Sequence, residues 1–374
     1  MKDIRLKKLA NLLVNYSLEI KEGEYVLIYG STASEPLLKE LYREIIRVGG
    51  HPEVLPIIEG AQEILLKNGS EKQLQFVSPL DRLIAEKYDA VIYLWGGYNT
   101  KALSGIDPNR IAMRSKSMRE LADIRNEREE KGEYRWCGTQ FPTHSDAQEA
   151  KMSLEEYEDF VFSSGHIDSD DPIEEWKNIS KYQQRIVDYL NTKQEIHVVS
   201  NNTDLKMSTS GRKWINCDGK ANFPDGEVFT SPVEDSVEGY IRFSFPGIFQ
   251  GKEIEDIRLE FREGKVLNAS AAKGEELLSA LLNMDEGARR LGEFAIGTNS
   301  RITRFTRNML FDEKIGGTVH AAIGFAPSGT GGKNRSGIHW DMLCDMKEEG
   351  RIYADGELFY RNGAFIDEVI DGLK

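Results

Sequence analysis

The chain has 374 residues, 40% of them hydrophobic, enough for one large or two ordinary domains, each with a buried core. Its 48 Lys and Arg against 62 Asp and Glu give a formal charge of -14, which opposes nucleic acid and anionic membrane surfaces and favours a small molecule or peptide as partner. Cys137, Cys217 and Cys344 are scattered without C-x-x-C spacing, so they indicate neither a disulfide framework nor a thiolate zinc site, and a reducing, cytoplasmic setting is expected.

At the start of the chain, Leu6, Leu9, Leu12, Leu13 and Tyr16 recur at helical spacing among polar residues. That pattern is an amphipathic helix, and no signal peptide or membrane span is visible. EYVLIYG (24–30) reads as a buried strand, SEPLLKELYREIIRVGG (34–50) as a helix closed by a glycine pair, and HPEVLPI (51–57) as the next strand. A helical stretch over 71–87 leads to the strand YDAVIYLW (88–95). This β-α-β order predicts an N-terminal α/β domain with a mainly parallel sheet over residues 1–190. A charged helix follows near 114–131, the polar segment 137–170 reads as a flexible crossover, and Asp before Pro opens a helix over 170–191. After the first strand comes STASEP, with no G-x-G-x-x-G, so a dinucleotide site is not indicated.

From residue 191 to 374 the pattern changes. IHVVS, TDLKMS, EVFTS, YIRFSF, GTVHAAIG, IHWDMLCDM and RIYADGELFYRNGAF are short, mostly alternating segments bounded by turn residues. They predict a C-terminal α+β domain rich in antiparallel strands, interrupted by one helix near 274–290. GTGGKN (329–334) fails the phosphate-loop pattern, because a strand follows where a helix should begin.

Chemistry concentrates in this second half. In GGKNRSGIHWDM, alternation puts His339 and Asp341 on one strand face and Ile338, Trp340 and Met342 on the other. An imidazole and a carboxylate side by side on a buried face need a partner. A structural His–Asp hydrogen bond is one answer and a metal ion is another. His320 in GTVHAAIG also points from a strand, while Glu293 in LGEFAIGTN and Glu227 in NFPDGEVFTSP add carboxylates. Three carboxylates and two imidazoles suit two divalent cations, with the imidazoles favouring zinc or cobalt over calcium. His51, His144, His166 and His197 lack neighbouring carboxylates at ligand spacing and read as surface or core histidines.

The segments NFPDGEVFTSP, LGEFAIGTN, NMLFDEKIGGTVHAAIG and GGKNRSGIHWD, in that order, resemble the motifs of the thermophilic-type metalloaminopeptidases, the aminopeptidase T, aminopeptidase S and PepS group. The similarity extends over nearly the whole chain. It implies that Glu227, Glu293, His320, His339 and Asp341 bind two divalent metal ions, zinc or cobalt before magnesium or manganese, with Glu293 as the bridge. It also implies a homodimer with an enclosed cavity that removes N-terminal residues from short peptides. Two metals about 3.5 to 4 Å apart can acidify a water, polarise a scissile carbonyl and accept a free α-amine. For the proton carrier, Glu313 and Asp312 in LFDEK are the candidates, and either could instead cap a turn. In the relatives a tyrosine stands seven residues after the strand histidine, where its hydroxyl could donate to a developing oxyanion; here that position is Pro327. Tyr240, Tyr353 or Tyr360 could supply a hydroxyl from a neighbouring strand. The competing readings are a metal- or peptide-binding protein with weakened or lost turnover, and a metal-dependent amidohydrolase of other specificity.

Overall fold

The computed structural model describes residues 3–372 and divides the chain into two compact units. One comprises the residues up to Ile173 together with Gly219–Pro224; the other comprises Glu174–Asp218 and the chain from Asp225 onward. The division therefore falls within the first turn of the long helix Pro172–Leu190, between Ile173 and Glu174, whereas the sequence pattern placed it after that helix. The reason is packing: Ile186, Val187 and Leu190 of that helix are buried in the core of the second unit.

The first unit is built on a five-stranded sheet in the order His51–Ile57, Tyr25–Ser31, Ala90–Trp95, Arg135–Gln140, Asn222–Phe223, with every pairing parallel. Val26, Ile28, Val91 and Ile92 are fully buried, as expected for strands covered on both faces. Gly138 is required where it stands, since a Cβ there would lie 2.1 Å from the Trp95 ring of the neighbouring strand. The helical stretch over 71–87 is two helices, Glu71–Leu74 and Pro79–Lys87, because Ser78 caps a new start and Pro79 lacks the N–H a continuous helix needs. The charged helix near 114–131 is likewise two, Pro108–Ser117 and Arg119–Glu130. Segment 137–170 is not a flexible crossover. It completes the Arg135–Gln140 strand and forms the helices His144–Glu149 and Leu154–Ser164, the second opened by a Ser153/Glu156 capping box and anchored by buried Tyr157, Val161 and Phe162.

The second unit holds two antiparallel sheets and a small hairpin, Gly247–Phe249 with Lys252–Ile254. The larger sheet has eight strands and includes Thr203–Ser208, Glu238–Arg242, Arg351–Ala354 and Glu357–Arg361. The smaller sheet has five, in the order His339–Asp345, Thr318–Gly324, Leu291–Gly297, Glu227–Thr230, Ile215–Cys217. One of its faces is apolar: Val228, Phe294, Ile296, Val319, Ala321, Ile323, Trp340, Met342 and Cys344 all join a single core cluster. Each large side chain among them contributes about 1.5–3 kcal/mol by leaving water, and that burial fixes the register. The opposite face is thereby determined, since a one-residue slip would exchange the two. The helix expected over 274–290 is the shorter Glu275–Leu282, followed by a 3-10 turn at Glu286–Arg289.

Candidate metal centre

Pairing across the five-stranded sheet brings the sequence-predicted ligands together. Ala322 pairs with Glu293 on one side and with Asp341 on the other, so the two carboxylates flank one methyl group. His320 pairs with Ala295, Glu227 with Gly297, and His339 with Gly324. Each of these five side chains therefore stands opposite a glycine or alanine on one side, while on the other His320 pairs with Leu343 and Glu227 with Cys217. The glycines have backbone reasons: a Cβ at Gly297 would lie 2.3 Å from the Ile315 carbonyl, and Gly324 has φ +97°. Ala295 and Ala322 do not have that excuse, and both are fully buried, so their small size keeps the polar face clear.

The side chains meet at short range. His320 Nε2 lies 3.3 Å from Glu293 Oε1, 3.4 Å from Glu227 Oε2 and 3.9 Å from Asp341 Oδ1. His339 Nε2 lies 3.5 Å from both Glu293 Oε2 and Asp341 Oδ2. Both rings are oriented from behind: His320 Nδ1 donates to the Glu313 carbonyl at 3.0 Å, and His339 Nδ1 donates to the Phe325 carbonyl at 2.8 Å. A carbonyl on Nδ1 keeps the proton on that nitrogen and leaves Nε2 facing the carboxylates, the arrangement a metal-binding histidine uses. His339 is the most open member, its side chain 32% exposed against 1% for His320.

The electrostatics are those of a cation site. Burial lifts Glu227 to about 8 against the pull of Lys314 and His320, and burial raises Glu293 as well. Burial draws both imidazoles down, yet the surrounding carboxylates hold His320 at about 9 and His339 at about 10. For Asp341 burial works upward, but His339, His320 and Lys314 bring it to about 2. Glu227 Oε2 and Asp341 Oδ1 are buried and lack a hydrogen-bond partner. A buried carboxylate oxygen without a donor costs several kcal/mol unless a cation satisfies it, on the order of other unpaired buried polar groups. The residues thus fit divalent ions in donor type, tautomer and charge. Among the described residues four groups have ligand atoms mutually within 4.8 Å; two of them, Glu227–Glu293–His320 and Glu293–His339–Asp341, together hold all five predicted ligands and share Glu293.

Of the two proton-carrier candidates, the structure separates one from the other. The Glu313 carboxylate groups with His320 and Asp341 within the same 4.8 Å limit. Asp312 accepts from the Thr306 N–H at 2.6 Å and hydroxyl at 2.9 Å, and burial lifts it to about 7; it is a turn clamp. Tyr240, Tyr353 and Tyr360 belong to the eight-stranded sheet, not to the sheet bearing the centre, and Tyr353 stacks on His197. His197 itself pairs with Asp204 at 2.8 Å on that larger sheet.

Three residues that contact the predicted ligands or their neighbours carry no sign of it in the sequence. Gln183, fully buried on the long helix, donates to the Glu227 carbonyl at 3.3 Å and the Cys217 carbonyl at 2.9 Å. Asn299 donates through its side chain to the Asp225 carbonyl at 2.8 Å and through its backbone to the Lys314 carbonyl at 3.0 Å. Lys314, fully buried, faces Asp225, Glu227 and Glu313. Its only sequence signal is its place after Glu313 in LFDEK, where a lysine reads as surface.

Residues 2–365 match the family described as thermophilic metalloprotease (M29). The chain belongs to the M29 metalloprotease family. This M29 chain is 28% identical to aminopeptidase T of Thermus thermophilus over 400 residues, spanning 94% of this chain and 95% of that one. It is 28% identical to aminopeptidase 2 of Geobacillus stearothermophilus, over 86% of this chain and 83% of the relative, and 26% identical to aminopeptidase AmpS of Bacillus subtilis, over 96% and 98%. The solved structure of wild-type AmpT from Thermus thermophilus covers 98% of the M29 chain and is itself covered completely, with a TM-score of 0.84 at 24% identity. The two share a fold: a parallel sheet with helices in the N-terminal part and antiparallel sheets in the C-terminal part. No helix among the described residues is long and apolar enough to cross a membrane.

Proposed function

We propose that the protein is an aminopeptidase that uses two divalent ions, zinc or cobalt, to release N-terminal residues from short peptides with a free α-amine. The observation that carries this reading is the double membership of Glu293. One carboxylate common to two ligand groups, each completed by one histidine and one further carboxylate, is what a pair of ions needs and a single ion does not. Charge agrees. Asp225, Glu227, Glu293, Glu313 and Asp341 set five carboxylates against the one ammonium of Lys314. With neutral imidazoles that leaves four negative charges, the sum carried by two divalent ions.

Bound there, divalent ions supply Lewis-acid chemistry, acidifying water and polarising a carbonyl. The chain's own residues do the rest. Glu227 and His320 hold one side, His339 and Asp341 the other, and Glu293 serves both. The Glu313 and Phe325 carbonyls keep the imidazoles turned toward the centre. The Glu313 carboxylate receives the proton released when water attacks and returns it to the departing amine. Ala295 and Ala322 keep side-chain bulk out of the space in which a peptide must sit. A homodimer enclosing the cavity belongs to the same proposal.

The test is a metal titration of chelator-stripped protein, followed by assay of the reconstituted protein on a free peptide and its N-acetylated counterpart. Two ions per chain and cleavage of the free peptide alone are expected. Equal cleavage of both would make the protein an amidohydrolase of another kind. Two ions bound without turnover would make it a metal-binding protein.

A further inference from the structure

Lys314 is an unusual residue to find at this depth. Its side chain is fully buried, with Nζ 3.5 Å from Glu227 Oε1, 3.8 Å from Asp225 Oδ1 and in contact with Glu313 Oε1. A buried ammonium is retained only where charges and hydrogen bonds compensate its lost hydration. The usual long-stemmed lysine keeps its head in water, and this one does not.

We infer that Lys314 is a built-in cation that positions Glu227 and Glu313 for the two-ion centre, a role that rests on the two-ion reading above. Two observations support it. The first is how Glu227 is divided. Its Oε1 faces Lys314, while Oε2, without a hydrogen-bond partner, lies 3.4 Å from His320 Nε2. The ammonium thereby fixes the rotation of the carboxylate and presents one defined oxygen to the centre.

The second is the group Cys217, Asp225 and Glu227, which by residue type and proximity resembles another metal site. The Lys314 ammonium already stands against two of its three members. A dication entering there would face a fixed positive charge at contact distance in a poorly screened interior. Lys314 therefore directs metal away from this group and toward the two that share Glu293. Its own place is fixed through Asn299, which ties the Lys314 and Asp225 backbones together.

A positioning role differs from a merely structural one in its effect on the metals. Loss of the ammonium should weaken the ion held by Glu227 and His320 and spare the ion held by His339 and Asp341. The experiment is calorimetric titration of Zn²⁺ into the chelator-stripped full-length chain, wild type against Lys314→Met, with kcat on a leucyl anilide and apo Tm measured alongside. Wild type is expected to show two binding steps. Lys314→Met should keep one within about 3-fold and weaken the other about 10- to 100-fold, the range seen when a group supporting a ligand is removed, with kcat falling in parallel. Two unchanged steps and unchanged kcat in the variant would overturn the inference and leave the two-ion reading intact. So would equal weakening of both steps in proportion to a lowered Tm. A single step in wild type would overturn the two-ion reading itself, and the inference with it. If the methionine variant does not fold, Lys314→Gln carries the same comparison; failure of both to fold would make Lys314 a folding residue and overturn the proposal.

Discussion

Ala322 is paired with Asp341 across two antiparallel strands, so the methyl group of one stands directly beside the carboxylate of the other. Its other neighbour is Glu293, and it is fully buried. Any larger side chain here must enter the space between the two carboxylates. Ala322→Val should therefore weaken metal binding at least about 10-fold and lower kcat/KM further. The cost to the apo protein should be about 1–3 kcal/mol, the usual range for overpacking, offset in part by the higher strand propensity of valine. Metal titration and thermal melts of the stripped protein check this. A variant with full metal affinity would show that the alanine is packing alone.

The same sheet shows what the sequence could and could not reveal. Alternation in GTVHAAIG and IHWDMLCDM was enough to put His320, His339 and Asp341 on polar faces, because the apolar residues between them have no other place to go. The antiparallel character of the C-terminal part was legible for the same reason, and the parallel sheet was legible from its β-α-β order. Lys314 was not legible, because nothing local distinguishes a buried lysine from a solvated one; only its long-range partners do. Gln183 was hidden likewise, since it acts on Glu227 from a helix 44 positions earlier in the chain. The helices within 137–170 were missed although the Ser153-x-x-Glu156 box was present, because the polar residues around it outweighed the buried Tyr157, Val161 and Phe162.

Glu293 joins the group of His320 to the group of His339, whereas Glu227 belongs to the His320 group and not to the His339 group, and this gives a graded expectation. Glu293→Gln should lose tight binding of both ions and at least about 10³-fold in kcat, since a neutral amide cannot bridge two cations. Glu227→Gln should lose one ion and keep the other. Elemental analysis after dialysis against a fixed free metal concentration separates the cases. Equal stoichiometry in the two variants would remove Glu293 from the shared position.

Glu313 is expected to act on protons. Glu313→Gln should retain both ions and lower kcat by about 10²- to 10⁴-fold, the span of a positioned general acid–base. KM for a short peptide should change little. A variant that loses metal in proportion to activity would make Glu313 a ligand, consistent with its grouping with His320 and Asp341.

Metal binding should release protons. Without a cation, His320 and His339 are held at about 9 and about 10, so both imidazoles carry a proton at neutral pH. A metal ion binds only the deprotonated ring. Affinity should therefore rise as pH increases toward these values and fall as pH decreases, with about three protons displaced when both sites fill near pH 7.5, one from each ring and one from Glu227, which burial holds at about 8. Calorimetry in buffers of different ionisation enthalpy counts them. No proton release at that pH would mean that the rings are already neutral in the metal-free protein.

Pro327 stands at the place where the resemblance to the metalloaminopeptidases leads one to expect a tyrosine. A phenol that donates to the developing oxyanion is worth about 10²- to 10³-fold in rate. The three tyrosines that could have replaced it lie on the eight-stranded sheet, and Tyr360 is fully buried there with its hydroxyl unpartnered. None of them belongs to the sheet that bears the centre. Pro327→Tyr should therefore raise kcat on a leucyl anilide by about 10-fold or more and change KM less, because the new hydrogen bond forms mainly in the transition state. The loop can accept the change. The Pro327 carbonyl accepts from the Thr330 hydroxyl at 2.9 Å, and the neighbouring Ala326 N–H donates to Asn334 at 3.0 Å; neither bond uses the proline ring. The substitution also restores a backbone N–H and frees φ, and the position is partly exposed, so that N–H can meet water and a phenol has room to turn. The measurement is kcat for wild type and variant at equal metal occupancy. An unchanged or lower kcat in the variant, beside a fast wild type, would show that this chain stabilises the oxyanion by another group.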